Sequence, residues 1–147
     1  FEMAATLMEM GGVGCIHRFM SIDDQVKQVS DLAFYRNENP SMQHLPIMAA
    51  IGVVGDFLDR AIELENAGCN ILVIDIAHGH HENMQKALKE LKANLEENLT
   101  DVVAGNIATM EAAEELAYTC GYDVIGKVCL IDIGLTESNV RSVIKYE

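Results

Sequence analysis

The sequence predicts an α/β fold in which short parallel strands alternate with helices. Five stretches repeat one design: an apolar run rich in Val and Ile, a loop with glycine or a polar residue, and a segment of helical periodicity. Strands that are apolar on both faces and alternate with amphipathic helices indicate a parallel sheet covered by helices. Because ligands bind at the carboxyl ends of such strands, we expect the functional residues in the loops that follow them.

The individual elements follow from this pattern. The predicted strands are residues 11–17, 46–53, 70–77, 101–108 and 122–133, and the helices are residues 1–10, 21–35, 55–68, 81–97 and 109–121. Ser21 and Thr109 are expected N-caps, because their side-chain oxygens can accept a first-turn amide. Gly68 and Gly121 follow helices, where a left-handed residue ends the last turn. Residues 36–46, rich in Asn, are expected to be a surface connection, so residues 1–147 form one domain.

Composition excludes several classes of function. The 23 acidic residues outnumber the 10 basic ones and give a formal charge of −13, which repels nucleic acid and anionic lipid. No apolar run approaches the ~20 residues that span a bilayer, so we expect a cytoplasmic protein that binds neither nucleic acid nor membrane. The four cysteines lack C-x-x-C spacing, which favours reduced thiols over a disulfide or zinc framework.

The segment VIDIAHGHHE, residues 73–82, combines one aspartate with three histidines. The spacing of His78, His80 and His81 argues against a metal site, and a solvated loop remains an alternative to a ligand-facing one. Asp75 comes at the end of its strand, where a buried unpaired carboxylate would be costly. At the rim it could accept two ribose hydroxyls, or it could cap the next helix.

Two further positions could carry chemistry. Gly105 would let a ligand approach the backbone, and Asn106 can both donate and accept hydrogen bonds, although Asn106 could equally be a turn former. Lys127 lies two residues before Cys129 and could favour its thiolate, a nucleophile. Cys129 could instead be a buried strand residue.

The repeat pattern by itself allows two architectures. A (β/α)8 barrel needs roughly 250 residues, so this chain would be part of one. A doubly wound open sheet can be complete with five strands.

A family resemblance favours the barrel. The segments GGVGCIHRF, VIDIAHGHHENMQKALKELK, VVAGNIATMEAAEEL and GKVC, in this order, resemble the IMP dehydrogenase / GMP reductase family of (β/α)8 barrels. The strongest motifs are D-x-A-H-G-H and A-G-N-[IV]-x-T. The resemblance implies a partial TIM barrel of five consecutive βα units with parallel strands, in the order 1-2-3-4-5 with all helices on one face. The open sheet becomes the alternative.

The resemblance also implies roles for individual residues. The positions that match the family's nicotinamide-cofactor site are Asp75, which would bind the nicotinamide ribose, then Ile76, Ala77, His78 and Arg18. Gly105 and Asn106 match the substrate-binding positions near the purine, and the implied site contains no metal. Cys129 of G-K-V-C matches the catalytic cysteine that attacks C2 of the purine.

The resemblance weakens around Cys129. The family's glycine-rich segment before the cysteine is missing, and Leu130 and Ile131 follow where a hydroxyl residue is expected. The later strands with the phosphate site and acid–base groups are absent. We therefore expect residues 126–133 to continue as a strand, with Lys127, Cys129 and Ile131 on one face.

The implied function is that of a purine-nucleotide oxidoreductase, incomplete in this chain. IDIAHGH, H-R-F and G-K-V-C look like GMP reductase, which uses NADPH to convert GMP to IMP, and the 36–46 connection leaves no room for a regulatory CBS insert. The alternatives are IMP dehydrogenase, which uses NAD to oxidise IMP to XMP, and a non-catalytic truncated relative or assembly partner. The expected partners are GMP or IMP and further copies of the chain, since the family forms tetramers.

Overall fold

The computed structural model describes residues 1–96, 99–121, 127–132 and 140–145. Its helices are α1 (Glu2–Glu9), α2 (Ile22–Glu38), α3 (Phe57–Asn66), α4 (Glu82–Asn94) and α5 (Met110–Thr119), with a 3₁₀ turn at Pro40–Met42. Its strands are β1 (Cys15–Ile16), β2 (Met48–Ile51), β3 (Ile71–Ile74), β4 (Asp101–Ala104), β5 (Lys127–Asp132) and β6 (Val140–Lys145).

The main sheet contains β1 to β4 in chain order, and each strand runs parallel to its neighbour. Right-handed crossovers that always step in the same direction place the connecting helices on one face of the sheet. Successive helices accordingly contact each other, α2 with α3 and α3 with α4. This arrangement confirms the predicted partial (β/α)8 barrel for the first four strands.

The fifth predicted strand forms, but it does not extend this sheet. β5 pairs in parallel with β6 in a separate two-stranded sheet, so the expected order 1-2-3-4-5 is wrong at its last position. The reason is a second strand that the sequence reading missed: Val140–Lys145 is rich in β-branched residues and supplies backbone partners for β5. Cys129 lies within β5, as expected for a continuous strand.

The core lies between the sheet and the helices. Residues that pair across neighbouring strands form rows, and alternate rows face the helices. One such row contains Ile16, Ala49 and Leu72, and the next contains Ile51 and Ile74; all five side chains are buried. They pack with fully buried side chains of the helices, which include Val29, Leu32, Ala61, Leu64, Met84 and Leu91. Each such side chain contributes roughly 1.5–3 kcal/mol through burial, apart from the smaller alanines. This packing fixes the sheet and therefore the position of the loops at its edge.

The opposite face of the sheet is apolar but less covered. Met48, Ile71 and Val73 are half-buried, and Val103 is 43% exposed. Their rows alternate with those of the helix face, as the period-two geometry of a strand requires. In a closed barrel this face lines the interior, so we refer to it as the open face.

The helix ends follow the predicted caps. Ser21 Oγ accepts the amide of Asp24 at 3.1 Å, and Thr109 Oγ1 accepts that of Ala112 at 3.2 Å. α2 extends to Glu38, beyond the predicted residue 35, and ends because the residue before Pro40 is extended. The 3₁₀ turn at Pro40–Met42 shortens the predicted surface connection. Within the described parts of the chain, none of the helices combines the length and apolar character that crossing a membrane requires.

Candidate functional site

The carboxyl ends of β1 to β4 place four loops along one edge of the sheet. We define the mouth as residues 17–20, 52–55, 75–79 and 105–107, which follow these strands. The parallel ladder continues one residue past the strands, since Asp75 N donates to Ile51 O and Gly105 N donates to Ile74 O, both at 3.0 Å. Asp75 and Gly105 are therefore held as neighbours by backbone bonds.

Asp75 is exposed and lies toward the open face. Ile74 packs against the helices, so strand alternation turns the next side chain the other way. Its carboxylate also acts on Cys15 of β1: desolvation is the larger cause, and the charge of Asp75 the second, of a raised pKa of the Cys15 thiol. The alternative role of Asp75 as a helix cap is wrong, because His81 is the N-cap of α4 and its Nδ1 accepts the amide of Asn83 at 3.1 Å.

The loops after β3 and β4 are locked together at Gly79. The buried Gly79 donates its amide to Asn106 O at 2.9 Å. A Cβ at Gly79 would lie 2.4 Å from Gly105 O and 2.7 Å from Ile107 Cγ1, so only glycine fits. The predicted cofactor loop and the predicted purine loop therefore form one packed unit.

Asn106 occupies a backbone conformation that few residue types tolerate. Its φ is 55°, in the left-handed region, where Asn is several-fold enriched among non-glycine residues. This conformation agrees with the turn-former interpretation. The side chain is exposed at the mouth, so a turn role and a ligand-contacting role are compatible.

The three histidines of the 73–82 segment have separate environments. His81 caps α4, His80 Nε2 lies 3.0 Å from Glu115 Oε2 of α5, and His78 is exposed. Among the described residues, no group of three or more His, Cys, Asp or Glu side chains is placed to hold a metal ion. The cap at His81 and the contact to α5 were missed from the sequence, since His is not a preferred N-cap residue and Glu115 is distant in the chain.

Arg18 follows β1 and lies beside the loop after β2. A Cβ on Gly52 would be 3.5 Å from Arg18 Nη1, and the guanidinium carbon lies 5.1 Å from the centre of the Phe19 ring. Within the described residues, Arg18 Nε is buried and has no hydrogen-bond partner. The mouth thus contains one cation at β1 and one carboxylate at β3.

Three predicted site residues remain, namely Ile76, Ala77 and Cys129. Ile76 is half-buried against the core, and Ala77 is exposed in the same loop as Asp75. Cys129 belongs to β5, but its side chain lies outside what the structure describes. Its role as nucleophile stays a prediction.

Chain-ordered parallel strands, helices on one face and a polar mouth at the carboxyl ends define a partial (β/α)8 barrel. The family described as "IMP dehydrogenase / GMP reductase domain" matches residues 1–131. The chain belongs to this family.

Relatives of both names are similar to the chain. Inosine-5'-monophosphate dehydrogenase of Nitrosopumilus maritimus (strain SCM1) is 36% identical over 121 residues, which cover 78% of this chain and 25% of the relative. GMP reductase of Leishmania major is 47% identical over 76 residues, 52% of this chain and 15% of the relative. Inosine-5'-monophosphate dehydrogenase of Cryptosporidium parvum is 31% identical over 149 aligned positions, which cover 78% of this chain and 36% of the relative. The chain therefore spans about a third or less of these relatives.

Proposed function

We propose that the chain forms the part of a purine-nucleotide oxidoreductase that holds a nicotinamide cofactor and the purine side by side. The packing at Gly79 is the main support for this proposal. Gly79 lies in the Asp75 loop, donates a hydrogen bond to Asn106 O, and lies so close to Gly105 O that no side chain fits between the two loops. Two ligands that must react with each other need such fixed relative placement.

The residues of the mouth fit a nicotinamide dinucleotide. The exposed carboxylate of Asp75 can accept hydrogen bonds from both ribose hydroxyls, and Ile76, Ala77 and His78 flank it in the same loop. Arg18 supplies a cation at the end of β1, two strands away from β3, and this cation is suited to the anionic phosphates. When bound, the cofactor supplies or accepts the hydride.

The reaction that we propose is the NADPH-dependent conversion of GMP to IMP, as in GMP reductase. The segments H-R-F, IDIAHGH and G-K-V-C support this choice over the NAD-dependent oxidation of IMP. Cys129 would be the nucleophile toward the purine in a polypeptide that also contains the later strands. We propose residues 1–147 as one partial barrel domain without a CBS insert, in a cytoplasmic homo-oligomer.

Ligand binding tests the proposal directly. Titration of the chain with NADPH, NAD, GMP and IMP, followed by saturation-transfer NMR and calorimetry, should give binding of a dinucleotide and of a purine nucleotide, with NADPH and GMP preferred. Asp75→Ala should weaken dinucleotide binding by about tenfold or more, for loss of hydrogen bonds to a charged group, and leave purine binding intact.

The matched control is Asp101→Ala. Asp101 is an exposed carboxylate of the same sheet, but it begins β4 at the opposite edge. Its removal should leave both affinities unchanged. Equal losses in the two variants would mean that net charge, rather than the Asp75 position, governs binding, and no dinucleotide binding by the wild-type chain would reject the proposal for this segment.

A further inference from the structure

Two polar side chains are buried beneath the mouth. Gln25 of α2 is 0% exposed, and Arg60 of α3 is 6% exposed. Burying a guanidinium and an amide is costly unless they are hydrogen-bonded, and apolar side chains at such positions often stabilise a protein as well or better. Packing alone therefore does not explain why Gln25 and Arg60 are buried here.

Gln25 joins the ends of two strands. Its Nε2 donates to Ile16 O at 3.2 Å and to Ala50 O at 2.9 Å. Ile16 is the last residue of β1, and Ala50 lies one residue before the end of β2. The side chain therefore sets where the loop after β1 departs from the sheet.

Arg60 holds the other end of that loop. Its Nη1 donates to Gln25 Oε1 at 2.7 Å, and its Nη2 donates to Met20 O at 3.1 Å and to Asp56 Oδ2 at 2.8 Å. Met20 is the last residue of the 17–20 loop. The loop is thus bonded at its start by Gln25 and at its end by Arg60, and these two side chains are bonded to each other.

The residues between Ile16 and Met20 are also held by a hydrogen bond within the loop. Phe19 N donates to His17 Nδ1 at 3.2 Å, which closes a tight turn around Arg18. Phe19 is 75% exposed, so packing into the core does not hold it. The anchors at Ile16 and Met20 leave Arg18 and Phe19 little freedom of placement.

We propose that Gln25 and Arg60 are positioning residues that fix the 17–20 loop and thereby aim the Arg18 guanidinium into the mouth. The inference rests on the proposed function in one respect, that Arg18 contacts the dinucleotide. The anchoring of the loop itself does not depend on any ligand.

The test compares the buried Arg60 with the half-buried Arg36 of the same chain. Arg60→Met removes the anchor of the loop while retaining an unbranched apolar side chain. Arg36→Met is the matched control, because Arg36 Nη1 donates to Asn70 Oδ1 at 2.7 Å and to Leu45 O at 3.3 Å, on the amino-terminal side of the sheet. Both changes remove hydrogen bonds of at least partly buried groups, but only the first affects the mouth.

The first readout is the amide NMR signals and hydrogen exchange of Arg18 and Phe19 in the ligand-free chain. Arg60→Met should shift these signals and speed their exchange well beyond any change in global unfolding, and Arg36→Met should not. The second readout is dinucleotide affinity, which Arg60→Met should lower by about tenfold, the equivalent of one lost charged hydrogen bond. Arg60→Lys keeps the charge and should therefore restore part of the amide signals and part of the affinity. If Arg60→Met does not fold, the same two measurements are made on Arg60→Lys.

The outcomes separate the two proposals. Unshifted amides in both Arg60 variants, with stability lowered as in Arg36→Met, would overturn the positioning role even if the chain binds NADPH. Shifted amides in a chain that binds no dinucleotide would support the positioning role and reject the proposed function. Shifted amides with unchanged affinity would overturn the claim that the anchors act on binding through Arg18.

Discussion

The two edges of the main sheet treat their polar groups differently. At the amino-terminal edge, Asn70 Oδ1 accepts from Arg36 Nη1 and from Ile47 N at 3.0 Å, and Thr100 Oγ1 donates to Cys69 O at 3.2 Å. At the carboxyl-terminal edge, Asp75 and Asn106 are exposed to solvent. Asn70 and Thr100 thus close the structure at the first edge, whereas Asp75 and Asn106 remain exposed at the second, which is the division of labour expected of a barrel.

The carboxyl-terminal edge nevertheless depends on tight backbone contacts. Gly79→Ala should produce the largest loss of stability, about 3 kcal/mol, because the added methyl would meet Gly105 O at 2.4 Å, within the backbone of the next loop. Urea denaturation measures the loss. Gly52→Ala is the control, since its Cβ would make only ordinary contacts with the Arg18 guanidinium, at 3.5 Å from Nη1 and 3.8 Å from Cζ. Similar losses in both variants would show that the lock at Gly79 is not specific.

The amino-terminal edge should show a pH dependence of its own. Burial is the main cause that raises the pKa of the Cys69 thiol from 9.0 to about 11. An unfolded chain loses this proton at lower pH, so the contribution of Cys69 to stability is complete below pH 9 and is lost as the pH rises toward 11, by roughly 2–3 kcal/mol. Unfolding free energies at pH 8 and 10.5, for wild type and Cys69→Ala, test this. An equal pH slope in the two proteins would contradict it.

Asn70→Ala should destabilise the same edge by about 2 kcal/mol, because it leaves the Ile47 amide and the Arg36 guanidinium without this acceptor. Thermal unfolding measures the change, and Asn70→Asp, which keeps the acceptor oxygen, is the control. Dinucleotide affinity per folded molecule should stay unchanged in both. A loss of affinity would mean that the two edges are coupled rather than separate.

The smallest expected effect concerns the electrostatic influence of Asp75 on Cys15. Because the carboxylate contributes to the raised pKa of the exposed Cys15 thiol, Asp75→Asn should lower that pKa and modestly speed alkylation of Cys15 at pH 8. Iodoacetamide labelling with mass spectrometry measures the rate, and buried Cys69 is the internal reference. An unchanged Cys15 rate would place Asp75 farther from the open face.

Much of the local structure could be predicted because its signals are short-range. Ser21 and Thr109 cap helices three residues away, and Gly68 and Gly121 have positive φ at helix ends, as expected. The first four strands lie within the predicted apolar runs and are shorter than these runs. At β3 and β4 the residues that follow the strand belong to the mouth. The choice between barrel and open sheet came from the family resemblance rather than from periodicity.

Sequence alone determined the βα alternation, the caps at Ser21 and Thr109 and the candidate residues Asp75, Gly105 and Asn106, since each depends on a pattern within a few residues. Only the tertiary structure decided that His81 rather than Asp75 caps α4, that β5 pairs with β6, and that Gln25 and Arg60 meet beneath the mouth. These features join residues that are far apart in the chain or that compete for one local role. Their outcome depends on sheet register and crossover direction, which bring together groups that no local periodicity connects.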